Sequence, residues 1–204
     1  MELKTFNKNP YNQNSYVYFN PQTKEGIIID PGLSKSQLIK AAEGLDIKAL
    51  LLTHGHFDHI YSLDKVRKIT GALAYCHKNE YELIKTPALN MSAVSKEMST
   101  SPDVLLEDKQ ILNFMGLDFE VIFTPGHTGG GVCYFDKTNN VIFSGDTLFK
   151  GSVGRTDLPT GDLDTLIISI KSRLFTLDEN IVLYPGHGKS TTIGEEKKFN
   201  PFVN

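Results

Sequence analysis

The 204 residues of this chain carry a formal net charge of −3, with acidic and basic residues interspersed. The length suffices to bury a large core, and no shift in composition marks a boundary between units, so we expect a single domain over residues 1–204. Because no basic block is present to neutralise a run of phosphates, we expect no nucleic-acid partner.

The N-terminal segment, MELKTFNKNPYNQN, is polar and lacks the apolar core of a secretory signal, and no apolar run reaches the length of a membrane span. We therefore expect a cytoplasmic protein with no membrane partner, in an oligomeric state that the sequence leaves open. The two cysteines, Cys76 and Cys133, lie far apart within apolar, strand-like runs. This placement predicts buried free thiols instead of a disulfide.

Runs rich in β-branched and aromatic residues predict strands along most of the chain. The predicted strands are 15–19, 26–30, 47–53, 72–77, 111–114, 117–124, 132–135, 141–144 and 180–184. The strands at 132–135 and 141–144 are separated by a turn that contains the dipeptide Asn139-Asn140. This turn predicts an antiparallel hairpin.

Helical periodicity fills several intervals between these strands. The predicted helices are 35–43, 60–69, 79–84 and 163–174, with Ser34 and Asp162 as candidate N-caps of the first and last. Residues 86–102 have no clear period, and we expect them to cross the surface; loops of this kind often shape a substrate cleft, but the sequence leaves the role of this one open. Mixed elements of this kind predict an α/β or α+β layered fold, and periodicity alone does not select the topology.

Immediately after the predicted strand 47–53 the chain reads T-H-G-H-F-D-H, with His54, His56, Asp58 and His59 close together. Side chains two residues apart at a strand end converge only if the backbone turns, and we expect Gly55 to supply the freedom for that turn. The spacing then allows His54 and His56 to hold one metal ion while Asp58 and His59 face another.

Three more candidate ligands share one arrangement, in which an apolar strand is followed by glycine and then by the ligand. They are His127 in F-T-P-G-H-T, Asp146 in F-S-G-D-T and His187 in L-Y-P-G-H-G. We expect each glycine to let the backbone bring the ligand to an ion without a β-carbon clash. Of the six histidines, only His77 lies outside these motifs, and we interpret it as a structural residue.

The seven candidate side chains exceed what one tetrahedral ion needs and predict two divalent metal ions, with Asp146 as the shared carboxylate. Imidazole and carboxylate without thiolate favour zinc and also suit iron or manganese. Two such ions about 3.5–4 Å apart can hold a bridging hydroxide, because metal binding lowers the pKa of water to about 7. The sequence therefore predicts a hydrolase whose catalytic carboxylates are Asp58 and Asp146, and no G-x-S-x-G nucleophile motif is present.

The motifs THGHFDH, TPGHT, SGDTLF and YPGHG, in this order, resemble those of the metallo-β-lactamase superfamily. The resemblance implies an αββα sandwich, in which two mixed sheets are flanked by helices and the metal site lies at one edge. It also implies a division of the ligands. The first ion would take His54, His56 and His127, and the second Asp58, His59 and His187, with Asp146 between them.

Within that superfamily, the stretch GDTLFKGSVGRTDLP and the closing NPF resemble short bacterial glyoxalase II-like, or hydroxyacylglutathione hydrolase-like, proteins. This resemblance implies hydrolysis of a small-molecule thioester, with S-lactoylglutathione as the reference substrate. A thiolate leaves readily and needs little acid assistance, so metal-activated hydroxide suffices. Arg155 is a candidate contact for an acidic substrate group, and an ordinary ion pair with Asp157 is the alternative interpretation.

Three other functions remain as alternatives. The segment GRTD also occurs in persulfide dioxygenases, which use a single iron, but the full ligand set and the P-G-H-G motif favour a hydrolase. A lactone or β-lactam hydrolase would share the metal machinery, although most zinc β-lactamases depart from the H-x-H-x-D-H pattern. A module that keeps metal for stability alone is disfavoured, because structural zinc sites are usually closed, single and rich in thiolates.

Overall fold

A computed structural model describes residues 1–32, 34–94 and 97–203. Its strands form two six-stranded sheets and a two-stranded ribbon. The strands are β1 (Glu2–Phe6), β2 (Ser15–Phe19), β3 (Glu25–Ile29), β4 (Asp46–Leu51), β5 (Leu73–His77), β6 (Val104–Leu106), β7 (Ile111–Phe114), β8 (Leu117–Phe123), β9 (Val132–Asp136), β10 (Val141–Gly145), β11 (Leu148–Phe149), β12 (Ser152–Val153), β13 (Val182–Pro185) and β14 (Thr191–Thr192). The sheet orders are β1-β2-β3-β4-β5-β6 and β14-β13-β10-β9-β8-β7, and the ribbon pairs β11 with β12.

The α-helices lie between these strands. They are α1 (Lys35–Ala41), α2 (Phe57–Ile60), α3 (Leu63–Thr70), α4 (Tyr81–Lys85), α5 (Leu163–Ser169) and α6 (Ile193–Phe199). Helix α5 continues as a π-helical segment, Ile170–Leu174, and short 3-10 helices occupy Lys78–Glu80 and Ser92–Val94. Within the described ranges, no helix has both the length and the apolar character needed to cross a bilayer.

Both large sheets are mixed. In the first sheet β3, β4, β5 and β6 run parallel, whereas β1, β2 and β3 pair antiparallel. In the second sheet β10 is parallel to β13, and the other pairings are antiparallel. Parallel strands end at the same edge of a sheet. Consequently the carboxyl ends of β3 and β4 lie side by side in one sheet, and those of β10 and β13 lie side by side in the other.

Three apolar layers hold the sheets and helices together. Successive residues of a strand point to opposite faces, so a strand that is buried on both faces is continuously apolar. In β3, Ile27 and Ile29 pack between the two sheets, while Ile28 packs with Leu38 of α1 and Val66 of α3. A third cluster joins the second sheet to α5 and α6. The resulting helix-sheet-sheet-helix order confirms the αββα sandwich that the motifs imply.

Most of the predicted elements are present, with shifted ends. The antiparallel hairpin of β9 and β10 is confirmed by the pairing of Ile142 with Phe135. Asp162 accepts a bond from the backbone N–H of Thr165, as an N-cap does, but the Ser34 side chain makes no capping bond. The two cysteines are buried and free, as predicted.

Two predicted helices are divided, and several elements were missed. The predicted helix 60–69 is interrupted, because α2 ends at Ile60 and α3 begins at Leu63. The predicted helix 79–84 contains a 3-10 turn followed by α4. The missed elements are the edge strands β1, β6 and β14, the ribbon of β11 and β12, helix α6, and most of helix α2, of which the prediction includes only Ile60.

Candidate metal centre

The seven candidate ligands lie in segments that follow strands β4, β8, β10 and β13. His54 and His56 come directly after β4, and Asp58 and His59 are in the short helix α2. His127 follows β8, Asp146 follows β10, and His187 follows β13. Strands β8, β10 and β13 run in the same direction in the second sheet, and the candidate ligands that follow them meet those that follow β4 of the first sheet, as the sequence motifs predict.

The structure brings the seven side chains together in three overlapping groups, each with ligand atoms within 4.8 Å of one another. The groups are His54 with His56 and His127, His54 with His59 and Asp146, and Asp58 with His59 and His187. The first and third groups match the division that the motif resemblance implies. Asp146 lies between them, with its carboxylate oxygens 3.4 Å from His59 Nε2, 3.6 Å from His127 Nε2 and 3.5 Å from His187 Nε2.

Several atoms that face the middle of these groups are buried and have no hydrogen-bond partner among the described residues. They include His54 Nε2, His59 Nε2 and Asp146 Oδ1. A buried polar atom without a partner costs about 1–3 kcal/mol, and such atoms call for an explanation. Divalent cations held by these groups would satisfy these atoms, so the residues present fit a metal site.

In four of the imidazoles, the ring nitrogen that faces away from the cluster is in hydrogen-bond contact with another protein group. The contacts are His54 Nδ1 with Thr53 Oγ1 at 3.1 Å, His59 Nδ1 with Asp30 Oδ2 at 2.9 Å, His127 Nδ1 with the Arg155 carbonyl at 2.7 Å, and His187 Nδ1 with the Tyr11 carbonyl at 3.0 Å. Metal-binding histidines typically donate their second N–H to a carboxylate or carbonyl, which fixes the ring orientation. The same arrangement is present here on the side of each ring that faces away from the cluster.

The electrostatics of the cluster also favour a bound cation. Burial lowers the pKa of His54 well below its usual value and that of His56 to about 3, so both rings are neutral and their lone pairs are available. Burial also opposes charge on His59, but the carboxylates around it, led by Asp146, raise its pKa well above the usual value. The imidazoles, led by His59, in turn outweigh burial and hold the pKa of Asp146 well below its usual range. The ionised carboxylates are therefore stabilised by positive charge in the centre, such as that of a bound cation.

Glycine is needed at this centre, but not always for the reason that the sequence indicates. A β-carbon on Gly186 would lie 2.1 Å from Asp146 Oδ1 and 2.6 Å from His59 Cε1, so here the expected close approach to a candidate ligand is confirmed. Gly145 has a φ of +49° and would clash with Thr53 instead. Gly55 does not adopt a positive φ. Its β-carbon would lie 2.5 Å from Ile84 Cγ1, so tight packing and not conformational freedom explains it.

Asp30, directly after β3, is a residue of the centre that our sequence analysis missed. Its side chain is buried, and its Oδ2 contacts His59 Nδ1 at 2.9 Å and accepts a 2.7 Å bond from the Thr53 hydroxyl. Its Oδ1 accepts a 2.8 Å bond from the Thr53 backbone N–H. The available signal was a lone aspartate at the end of an apolar strand that pairs with the strand before the T-H-G-H motif. Asp30 therefore orients one candidate ligand and anchors the residue that precedes another.

We expect Asp30→Asn to weaken metal binding by about 10–100-fold, the usual cost of losing an outer partner of a metal-binding histidine. Asparagine tolerates the φ of 49° at this position, so the backbone is preserved. Its amide has only one oxygen, so its NH₂ group must face either the Thr53 backbone N–H or the His59 and Thr53 side-chain donors, and at least one bond is lost. The measurement is competition for metal with a chromogenic chelator, and affinity equal to that of the wild type would contradict this role.

His77 and Arg155 stand apart from the cluster. His77 is buried, stacks on Phe123 with ring centroids 4.3 Å apart, and accepts a bond from the Asn79 backbone N–H. This is the structural role that the sequence predicts. The Arg155 side chain forms a two-point ion pair with Asp157, at 2.7 Å and 2.6 Å, and both side chains are largely exposed.

A cleft of about 300 Å³ opens beside the candidate ligands. His56, Asp58, His127, Asp146 and His187 line its floor, and its walls include Tyr11, Phe57, Met91, Val94, Arg155 and Leu158. Met91 and Val94 belong to the segment 86–102, of which residues 95 and 96 lie outside the described residues, and these two side chains contribute to the cleft. Tyr11 and Phe57 pack edge to face at 5.1 Å and form one apolar wall. The candidate ligands are thus accessible to a small substrate.

An αββα sandwich with histidine and aspartate side chains clustered at one edge defines a class of metal-dependent hydrolases. Comparison with known families agrees, since the family model of the metallo-beta-lactamase superfamily matches residues 9–187. The chain belongs to the metallo-beta-lactamase superfamily.

Three known proteins are similar over nearly their whole length. The hydroxyacylglutathione hydrolase GloC of Haemophilus influenzae is 36% identical, over 100% of this chain and 99% of the relative. The crystal structure of the B3 metallo-beta-lactamase BLEG-1 superposes with a TM-score of 0.94 at 39% identity and covers 100% of both chains. A third protein, TTHA1623, solved in a di-iron-bound form, has a TM-score of 0.84 at 33% identity, over 98% of this chain and 99% of that one.

Proposed function

We propose that this protein is a binuclear metal-dependent hydrolase that cleaves a thioester such as S-lactoylglutathione. One observation carries the proposal. Seven histidine and aspartate side chains converge beside an open cleft, and several of their buried inward-facing atoms have no hydrogen-bond partner within residues 1–32, 34–94 and 97–203. The similarity to a hydroxyacylglutathione hydrolase over the full chain supports the thioester as substrate.

In this proposal the candidate ligands divide between two metal ions. His54, His56 and His127 would hold the first, Asp58, His59 and His187 the second, and Asp146 would be shared. Bound there, two divalent ions lower the pKa of water and polarise the substrate carbonyl, which allows hydrolysis near neutral pH. The donor set favours zinc, and the similarity to a protein with a di-iron-bound form supports iron as an alternative.

The remaining residues of the centre orient its ligands and shape access to the cleft. Asp30 and Thr53 bind the outer nitrogens of His59 and His54, so the inner nitrogens face the other candidate ligands before any substrate arrives. The wall formed by Tyr11 and Phe57 keeps water away from one side of the bound thioester. No residue is needed to protonate the leaving group, because a thiolate departs as an anion.

Arg155 is the proposed contact for an acidic group of the substrate. We expect Arg155→Ala to lower kcat/KM for S-lactoylglutathione by no more than about fivefold, because an exposed ion pair contributes up to about 1 kcal/mol. An uncharged thioester should be hydrolysed as before. Asp157→Asn serves as the matched variant, since it frees the Arg155 guanidinium and should favour the acidic substrate. An unchanged ratio of the two substrates in both variants would rule out the contact.

A second candidate function is β-lactam hydrolysis. It is favoured by the similarity to a B3 metallo-beta-lactamase across both chains. That similarity weakens the sequence argument that the H-x-H-x-D-H pattern disfavours this activity. The same centre would serve for attack on the lactam carbonyl, but the ring nitrogen, unlike a thiolate, would have to take up a proton from water as the C–N bond breaks.

A substrate panel on protein of known metal content tests the proposal. It compares S-lactoylglutathione, a thioester without charged groups, a lactone, a β-lactam and glutathione persulfide, under air and under nitrogen. We expect thioester hydrolysis that is independent of oxygen and is lost on chelation. Preferred turnover of the β-lactam or the lactone would replace the thioester as substrate, and oxygen uptake with the persulfide would point to a dioxygenase.

A further inference from the structure

Glu80 is a fully buried carboxylate that the proposed reaction does not use. It ends the 3-10 helix Lys78–Glu80 after β5, and in the described part of the chain it forms no ion pair. Burial raises the pKa of this carboxyl above its usual value, and the neighbouring Thr128 hydroxyl and the backbone N–H groups of Gly55 and Gly130 act in the opposite direction. Burying a carboxylate without a neighbouring cation costs free energy. We therefore expect the hydrogen bonds of Glu80 to stabilise the segments around it.

The two oxygens of Glu80 bind two different segments of the candidate metal centre. Its Oε2 accepts a 2.8 Å bond from the backbone N–H of Gly55, which lies between His54 and His56. Its Oε1 accepts a 2.7 Å bond from the backbone N–H of Gly130, three residues after His127. One side chain thus connects the two segments that carry His54, His56 and His127.

The backbone at Gly55 and at Gly130 packs tightly against Glu80. A β-carbon on Gly55 would lie 3.2 Å from Glu80 Oε2 as well as 2.5 Å from Ile84 Cγ1. A β-carbon on Gly130 would lie 2.6 Å from the Glu80 backbone nitrogen. Neither glycine has a positive φ, so glycine is present because there is no room for a side chain. The backbones are therefore held at short distance from the carboxylate, where charge-assisted bonds are strongest.

We infer that Glu80 is a positioning residue that clamps these two segments and sets the spacing of the first three imidazoles. In the structure His56 Nδ1 and His127 Nε2, which belong to the two clamped segments, lie 2.9 Å apart. A small displacement of either segment separates nitrogens that must reach one ion. The inference rests on the proposed metal centre, and it adds a residue that contacts neither metal nor substrate.

Glu80→Gln tests the clamp. The amide keeps the shape of the side chain but turns an NH₂ group toward one of the two N–H donors, so one of the bonds is lost. We expect one of the two metal ions to bind about 10–100-fold more weakly, as for other outer partners of metal ligands. The measurement is titration of metal-free protein with Co²⁺, monitored by its visible absorption, together with competition against a chromogenic chelator.

Glu196→Gln is the matched control. Glu196 is also buried. Its Oε2 accepts 2.8 Å bonds from the Gly151 backbone N–H and the Asn200 side chain, and its Oε1 accepts a bond from the Thr191 hydroxyl, away from the candidate ligands. We expect Glu196→Gln to lower the melting temperature while both ions bind as in the wild type. If Glu80→Gln only lowers the melting temperature in the same way, Glu80 is merely structural and the inference is overturned.

Two further outcomes separate the inference from the proposed function. Wild-type protein that binds no metal would refute the proposed function itself. Wild-type protein that binds two ions, with unaltered affinity in Glu80→Gln, would refute only the clamp. Should Glu80→Gln not fold, Glu80→Asp keeps both charge and acceptors but shortens the reach by one methylene, and wild-type affinity in that variant would overturn the inference.

Discussion

Asp146→Asn is expected to lower kcat/KM for thioester hydrolysis by more than about 100-fold and to reduce the metal content below two ions per chain. Loss of an outer partner alone typically costs 10–100-fold, and Asp146 is a proposed ligand to both ions. Its carboxylate oxygens lie within 3.4–3.6 Å of imidazole nitrogens from three separate segments. An amide offers a single acceptor and no charge to the same space.

The measurement combines steady-state kinetics with metal analysis of the purified variant. His77→Ala is the control, because His77 is a buried histidine that stacks on Phe123, outside the three ligand groups. It should lose stability and keep both its metal content and its turnover. Wild-type turnover by Asp146→Asn with two ions bound would exclude the shared role of Asp146.

The candidate ligands could be predicted from the sequence, because each has a side chain of recognisable chemistry beside a strand end. The groups that orient those ligands from the outer side could not be predicted. His127 and His187 are oriented by the backbone carbonyls of Arg155 and Tyr11, and a carbonyl leaves no mark in a sequence. Asp30 and Glu80 are single acids whose significance depends on which strands are neighbours, and that is a property of the topology.

The buried strands of the fold could also be predicted from the sequence, whereas several edge elements could not. Continuous apolar runs such as that of β3 indicate a strand buried on both faces, and the three packed layers explain why such runs are frequent here. The edge strand β1, with the sequence ELKTF, is mostly exposed and lacks that pattern. Helix α6 does carry a signal that was overlooked, since Thr192 caps it through the Glu195 backbone N–H and precedes Glu195 by three residues.

Gly186→Ala is expected to disable the centre by the addition of one methyl group. The new β-carbon would lie 2.1 Å from Asp146 Oδ1 and 2.6 Å from His59 Cε1. The backbone of Gly186 cannot retreat easily, because its N–H bonds the Gly145 carbonyl and its carbonyl accepts from the Asn14 N–H, both at 2.7 Å. The strain must therefore displace two proposed ligands. We expect a loss of more than about 100-fold in kcat/KM, with a destabilisation of about 1–3 kcal/mol.

Gly129→Ala is the control for this substitution, because it adds the same methyl group two residues after His127. There the β-carbon would lie 3.6 Å from Thr160 Cβ, an ordinary contact, and neither glycine has a positive φ that alanine would strain. Metal content, kcat/KM and the free energy of unfolding are measured for both variants. The two variants differ only in the atoms that the added methyl group contacts. Equal activity in both would show that the close packing of Gly186 against Asp146 and His59 is not needed to position these two side chains.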